Sequence, residues 1–179
     1  MNFRTALFAG LAGIAFCCAA YSAEPLTDGQ KALYTGGKNN LIRSAEAVPE
    51  EHYSFKPATD VRTFGQLVGH VAEYEYVFCG AASGEKPPAM KIENVKTSKA
   101  ELVQALKDAF AYCDRVYAGI TDANLAKTIS VEGRNMAVLT ALTLNTSHNN
   151  EHYGNMVTYM RMKGIVPPSS APRPPAQTK

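Results

Sequence analysis

The stretch "GEKPPAMKIENVKT", residues 84–97, determines how the helices on either side of it can be arranged. A tight turn between antiparallel helices needs only about 2–8 residues. Fourteen extended residues, at roughly 3.3 Å each, reach about 45 Å, which is enough to run back along a 20-residue helix of about 30 Å. Spacing alone therefore leaves two arrangements open. The flanking helices are parallel and joined by a crossover, or the bundle is up-and-down with a long surface loop.

Helical periodicity flanks this connection on both sides. Thr63 and Gln66 have the spacing of a capping box before it, and Ser98 and Glu101 repeat that spacing after it. Apolar residues recur every three or four positions along four segments, which predicts helices over residues 26–47, 63–84, 98–119 and 136–163. A short extended piece is predicted at residues 127–131. The predicted fold class is all-α, a four-helix bundle occupying residues 24–168.

Both ends of the chain are predicted to lie outside the bundle. Residues 1–23 contain a basic residue, an apolar run too short for a membrane span, and small residues at the end, which is the layout of a secretory signal peptide. Cys17 and Cys18 suggest lipidation, but the bulky Phe16 disfavours it. We expect an exported protein, periplasmic or secreted, with no membrane attachment after cleavage. Residues 169–179, rich in proline, are expected to be disordered.

Composition restricts the class of partner. The formal net charge is +2, charged residues make up 19% of the chain, and the sequence has neither a basic stripe nor an acidic tail. Proteins that bind nucleic acid or anionic membranes through surface charge concentrate lysine and arginine on one face. We therefore expect neither of these partners.

Three of the four histidines lie on predicted core-facing stripes. In "TSHNNEHYGN", residues 146–155, His148 and His152 are four positions apart and lie about 40° apart on a helical wheel. His70 lies on a similar stripe of the second helix. His52, in a loop beside two glutamates, is expected to be solvated. The residues that share the stripe of the fourth helix are Ala137, Ala141, Leu144, Asn155, Tyr159 and Met162, and those predicted to lie opposite are Thr143, Thr146, Asn150 and Arg161.

A common partner would explain three histidines in one interior. Burying an imidazole without partners costs roughly a few kcal/mol, and neutral imidazole is a good ligand for zinc, nickel, copper and iron. Three histidines leave a fourth position for water or substrate, which is typical of catalytic sites. His70, His148 and His152 are therefore the predicted metal ligands. The alternative is a core cluster in which the imidazoles hydrogen-bond to carbonyls or tyrosines.

Other polar residues near the histidines are candidates for supporting roles. "HNNEH", residues 148–152, matches the inverted zinc-peptidase motif with Glu151 as general base, but an acidic ligand should follow far along the chain and only 27 residues remain after His152. In a bundle site Glu151 is instead a candidate catalytic residue for proton transfer, and Glu73 is a second. For both, the rival interpretation is an exposed helix carboxylate. The candidates for orienting the imidazoles are Tyr74, Asn145, Asn149 and Tyr159.

At this point the sequence resembles the DinB/YfiT-like superfamily. The resemblance rests on "FKPATDVRTFGQLVGHVAEYEY" around His70, on "NTSHNNEHYGNMVTYMRMKGIVPPSS" around His148 and His152, and on the long second connection. It implies a bundle in up-down-down-up order with the crossover between helices two and three. It also implies a divalent metal, zinc or nickel, on these three histidines, and a homodimer. Relatives in this superfamily include thiol-dependent S-transferases and isomerases.

The expected function is a metal-dependent enzyme acting on a small molecule. Metal-activated water would make it a hydrolase, and a metal-activated thiol would make it a thiol S-transferase. The alternative is a non-catalytic metal- or ligand-binding bundle. Parallel middle helices would bring Cys79 and Cys113 to the same end of the bundle, although Cys79 lies about 180° from His70 and so faces a flank. The sequence leaves open whether these two cysteines form a disulfide or are two buried free thiols.

Overall fold

The computed structural model describes residues 24–86 and 91–172. It confirms the all-α bundle, because the four predicted helices are its four long helices. In chain order the elements are α1 (Pro25–Ala47), a 3-10 turn (Glu50–His52), α2 (Phe64–Ser83), α3 (Ile92–Val95), α4 (Lys99–Gly119), α5 (Asp122–Leu125), β1 (Thr128–Val131), β2 (Arg134–Ala137), α6 (Val138–Met162) and a 3-10 turn (Pro168–Ser170).

Local capping explains where the two middle helices begin and end. Thr63 Oγ1 accepts from the backbone N–H of Gln66 at 3.1 Å, and Gln66 Oε1 accepts from the backbone N–H of Thr63 at 2.9 Å, which completes the predicted capping box of α2. Gly84 ends α2 with a φ of 76°, a left-handed conformation that favours glycine. Ser98 Oγ accepts from the N–H of Glu101 at 3.3 Å at the start of α4. Gly84 and Ser98 therefore mark the two ends of the connection between these helices.

The middle helices are parallel, as the crossover arrangement predicts. Gly65 packs against Leu102 near the start of each helix, and Cys79 pairs with Cys113 towards their ends. Contacts between α6 and α2 pair later residues of one helix with earlier residues of the other, and contacts between α1 and α4 do the same. Each of these two pairs of helices is therefore antiparallel. The order is therefore up-down-down-up. The crossover is not wholly extended, because α3 lies within it and packs on α2.

The core-facing stripe predicted for α6 is displaced from the observed one. Leu144 and Met162 were expected in the core but are 41% and 57% exposed. The buried line passes instead through Asn145, Asn149 and other polar residues, including Thr146, which was predicted to face away. The prediction was centred on apolar residues, whereas the two asparagines are buried because they hydrogen-bond to Glu75 of α2.

A disulfide joins the parallel helices. Cys79 and Cys113 are fully buried and bonded, with Cα atoms 5.4 Å apart. The expectation that Cys79 faces a flank is wrong, because α2 packs against α4 as well as α6 and is buried on both sides. Closing a loop of this length stabilises a fold by about 2–4 kcal/mol.

The remaining elements follow α4 and α6 in the chain. The extended piece predicted at residues 127–131 is the first strand of an antiparallel hairpin, β1–β2, in which Thr128 pairs with Ala137. The first residues of the predicted tail pack on α6, where Tyr153 Oη donates to Ser169 Oγ at 2.7 Å. The predicted signal peptide, residues 1–23, and residues 173–179 lie outside the described residues. Among the helices described, none has the length and apolar character needed to cross a membrane.

Candidate metal centre

Three histidine side chains from two antiparallel helices converge on one point. His148 Nε2 lies 3.1 Å from His70 Nε2 and 3.1 Å from His152 Nε2. Two nitrogens bound to one ion at about 2.0–2.1 Å each are roughly 3–3.4 Å apart. The spacing of the three nitrogens therefore fits ligation of a single ion, and the group is one that can hold a metal.

The hydrogen-bonding capacity of the imidazoles also fits a cation. A neutral imidazole nitrogen carries either a proton or a lone pair. His148 Nε2 is close to two other Nε2 atoms, so without a cation both short contacts must share either the one hydrogen or the one lone pair of that nitrogen. A divalent cation accepts all three lone pairs, which satisfies the cluster completely.

Glu93 fixes the proton of His70 on the far side of its ring. Glu93 Oε2 lies 3.0 Å from His70 Nδ1. A carboxylate only accepts hydrogen bonds, so Nδ1 carries the proton and Nε2 presents its lone pair to the centre. His152 Nδ1 lies 3.4 Å from Asn155 Nδ2, and His148 Nδ1 is buried without a partner among the described residues. His70 is therefore the histidine of the three with a charged partner.

The crossover helix α3 is what brings Glu93 to this position. The backbone N–H of Glu93 donates to Glu73 Oε1 at 2.8 Å, and Arg62 Nε donates to Glu93 Oε1 at 2.8 Å. A Cβ added at Gly69 would lie 2.7 Å from Glu93 Cα, so α3 approaches α2 at a place where only glycine fits. Sequence reasoning missed Glu93, because nothing in the spacing of "KIENVK" indicates which helix the turn will contact.

Burial keeps the three imidazoles neutral. Loss of solvent lowers the pKa of His148 to about 3, and the neighbouring histidines and Arg62 add to that effect. Burial, followed by the charges of His70 and Arg62, lowers the pKa of His152 to about 4. Burial also lowers the pKa of His70, against the opposing effect of its hydrogen bond to Glu93. Neutral imidazole is the form that binds a metal.

Aromatic side chains form one wall of the site. The ring centroid of Tyr74 is 4.7 Å from that of His70 and 4.7 Å from that of His148. Of the predicted orienting residues, Tyr74 alone contacts the imidazoles in the described part of the chain. Asn145 and Asn149 bind Glu75 instead, and Tyr159 Oη donates to the carbonyl of Arg62 at 2.9 Å.

The other candidate residues lie apart from the three nitrogens. Glu151 is exposed on α6 and makes no hydrogen bond among the described residues, although its charge opposes the lowering of the pKa of His152. Glu73 is occupied in anchoring α3. His52 lies in the first 3-10 turn, outside the group. In the described residues the group contains His70 and no carboxylate, which disfavours the peptidase motif.

The fold and the site together define a helical-bundle protein with a three-histidine group suited to a metal ion. A model of the DinB superfamily matches residues 33–156, and the chain therefore belongs to that superfamily. A search among curated proteins finds no significant match.

Solved structures agree with this fold. A DinB-like protein from Bacillus cereus ATCC 10987 is 21% identical, with a TM-score of 0.69, over 79% of this chain and 95% of that one. A DinB-like protein from Bacillus subtilis is 24% identical, with a TM-score of 0.63, over 77% of this chain and 93% of that one. A mycothiol-dependent maleylpyruvate isomerase is 15% identical, with a TM-score of 0.60, over 73% of this chain and 60% of that one. These likenesses establish the fold.

Proposed function

We propose that this protein is a divalent-metal-dependent enzyme that acts on a small molecule, with zinc or nickel held by His70, His148 and His152. The observation that carries the proposal is the convergence of three neutral imidazoles, with His148 Nε2 3.1 Å from the Nε2 atoms of both His70 and His152, and with His70 oriented by a carboxylate. Three protein ligands leave a coordination position for a reactant, as catalytic sites require.

The residues around the histidines have separable roles in this proposal. A bound divalent ion would supply Lewis acidity and lower the pKa of a water or thiol to near neutrality. Glu93 holds the proton of His70 on Nδ1 and makes Nε2 a stronger donor. Tyr74 covers one face of two imidazoles and excludes water from that side. Glu151, on the exposed side next to His152, is the candidate for proton exchange with solvent.

The nucleophile separates two versions of the enzyme. With water the reaction is hydrolysis, and with a thiol it is S-transfer. The thiol version is supported by the fold shared with a mycothiol-dependent isomerase, and the hydrolytic version by the predicted export. A panel of chromogenic esters and phosphoesters without thiol, beside a panel of electrophiles with a low-molecular-weight thiol, separates the two. Loss of activity in Glu151→Gln would support proton transfer by that residue.

Export and self-association are part of the same proposal. Export, periplasmic or secreted, is supported by the composition of residues 1–23. Cell fractionation of the full chain, beside a variant lacking those residues, tests it. A homodimer is expected from the superfamily, and light scattering on the purified protein tests that.

Metal content is the decisive measurement. Elemental mass spectrometry on tag-free protein should give about one equivalent of zinc or nickel, as expected for a single three-histidine site. His148→Ala should lose it, and His52→Ala, which removes a histidine outside the group, should keep it. No metal in the wild type, together with no change in thermal stability on adding zinc or nickel, would refute the proposal. A stoichiometric metal with no turnover in either panel would support the non-catalytic alternative.

A further inference from the structure

Arg62 lies at the edge of the three-histidine site and is held there from two directions. Its Nε donates to Glu93 Oε1 at 2.8 Å, and the other oxygen of that carboxylate binds His70 Nδ1 at 3.0 Å. Its backbone carbonyl accepts from Tyr159 Oη of α6 at 2.9 Å. Arg62 is thus connected to both helices that supply the histidines.

Arg43 offers a comparison, because it is an exposed arginine on α1 that makes no side-chain hydrogen bond among the described residues.

Bracing Glu93 uses only one of the donors of Arg62. Within the described part of the chain, Nη1 and Nη2 make no hydrogen bond, and the side chain is 42% exposed. These two groups form the end of the guanidinium that binds a carboxylate or phosphate through two parallel hydrogen bonds. A single neutral N–H donor would suffice to brace Glu93. The charge and the unused fork at the site edge therefore call for a separate role.

We propose that the Nη edge of Arg62 binds an anionic oxygen group, a carboxylate or a phosphate, on the substrate. The inference rests on the proposed function and specifies its substrate class as a small organic acid or phosphate ester. Arg62 would hold the anionic end while the reacting end faces the three histidines. Glu93 then becomes a positioning residue that connects the anion site to His70.

The test follows the side chain of Arg62 directly. The Nε–Hε resonance of Arg62, assigned by its loss in Arg62→Lys, is recorded while acetate or inorganic phosphate replaces chloride at constant ionic strength. Zinc-loaded and EDTA-treated wild-type protein are titrated in parallel, because these anions can also bind a metal. We expect a saturable shift of the Arg62 resonance in both states, and no saturable shift for Arg43. The anion with the lower Kd identifies the preferred group.

Calorimetry on variants gives the second measurement. Arg62→Gln should weaken binding of the preferred anion to zinc-loaded protein by about tenfold or more, as expected for losing a charge-assisted pair. Arg43→Gln is the matched control and should bind as the wild type does. Because the NMR titration uses wild-type protein, it remains decisive even if Arg62→Gln folds poorly.

The outcomes separate the two proposals. Arg62 and Arg43 resonances that move alike, or an Arg62→Gln variant that binds both anions as tightly as the wild type, would overturn the anion site. Zinc content on the same samples decides the metal-enzyme proposal separately. A saturable Arg62 shift in a protein that binds no zinc or nickel would keep the anion site and refute the metalloenzyme.

Discussion

Two polar clusters lie between α2 and α6, and they differ in exposure and in chemistry. The first is the three-histidine site, which reaches the surface at His148. The second is the Glu75 cluster, made of Glu75, Asn145, Asn149 and the Cys79–Cys113 disulfide. Glu75 is fully buried and accepts from Asn149 Nδ2 at 2.5 Å and from Asn145 Nδ2 at 3.2 Å.

Burial removes the charge from both clusters, with opposite consequences for ligand binding. It lowers the pKa of the histidines and leaves lone pairs that a metal can use. It raises the pKa of Glu75 to about 8, so that carboxyl carries a proton at neutral pH. Atoms of Glu75, Cys79 and Cys113 also lie close enough together to hold a metal, but disulfide sulfurs are not thiolates. The first cluster is therefore able to hold a metal, and the second is part of the core.

The largest expected effect is a pH dependence of stability caused by Glu75. Its pKa in the folded state, about 8, lies above the value of 4.5 for an unperturbed carboxyl. The folded state therefore binds more protons, and stability is fully present below pH 4.5 and lost as pH rises towards 8. Between these values the loss approaches about 1.4 kcal/mol per pH unit. Glu75→Gln, which stays neutral, should be more stable than the wild type at pH 8.5.

Denaturant unfolding in EDTA at several pH values checks this prediction. The difference between wild type and Glu75→Gln isolates Glu75, because the histidines contribute the opposite trend, losing stability as pH falls below 6.5. The glutamine also offers N–H donors to the oxygens of Asn145 and Asn149, which are buried without partners among the described residues. Glu51→Gln, a change at an exposed glutamate of the first 3-10 turn, should follow the wild-type curve. A constant difference across pH would show that Glu75 is ionised in the fold.

The second-largest effect is expected from removing the disulfide of the Glu75 cluster. Cys79→Ser with Cys113→Ser should lower the free energy of unfolding by about 2–4 kcal/mol, because the unfolded chain is no longer constrained. Metal affinity should stay within a few-fold of the wild type, since the three imidazoles are untouched. Calorimetric unfolding and zinc titration measure the two quantities. Loss of both together would mean that the clusters are not independent.

Sequence patterns were sufficient to predict the four long helices and the convergence of the three histidines. The capping residues Thr63 and Ser98 and the apolar spacing depend on contacts a few residues apart, which a sequence displays directly. The crossover was left open by its length and followed only from the resemblance to the DinB/YfiT-like superfamily. The convergence of His70, His148 and His152 followed from their faces together with antiparallel packing.

What sequence patterns missed depends on tertiary packing. Asn145 and Asn149 were expected to orient the imidazoles, but both bind the buried carboxyl of Glu75 on another helix, a contact that the pattern of one helix does not display. The side of α2 that carries Cys79 was expected at a flank, because we assigned α2 one core-facing side from its helical wheel. In the structure two opposite sides of α2 are buried. Glu93 comes to His70 only through the path of the crossover.

A smaller effect is expected where the crossover supports the three-histidine site. Glu93→Ala should weaken metal binding by about 10–100-fold, because the carboxylate that orients His70 is lost. Zinc competition with a chromophoric chelator measures the change. Glu51→Gln, at an exposed glutamate outside the three-histidine group, is the control and should keep wild-type affinity. An unchanged affinity in Glu93→Ala would mean that the packing of α2 and α6 orients His70 without help.

The smallest effect tests whether the position of α3, rather than the carboxylate alone, is required. In Gly69→Ala the new methyl group would lie 2.7 Å from Glu93 Cα, so α3 must move away from α2. Overpacking of this kind costs about 1–3 kcal/mol of stability. Because Glu93 is still present and can partly re-form its bond to His70, zinc affinity should fall less than in Glu93→Ala. Gly36→Ala, on α1 where a Cβ meets nothing within 4 Å, is the matched control. A Gly69→Ala protein with wild-type stability and wild-type zinc affinity would mean that α3 adjusts freely, and that the glycine is not what positions Glu93.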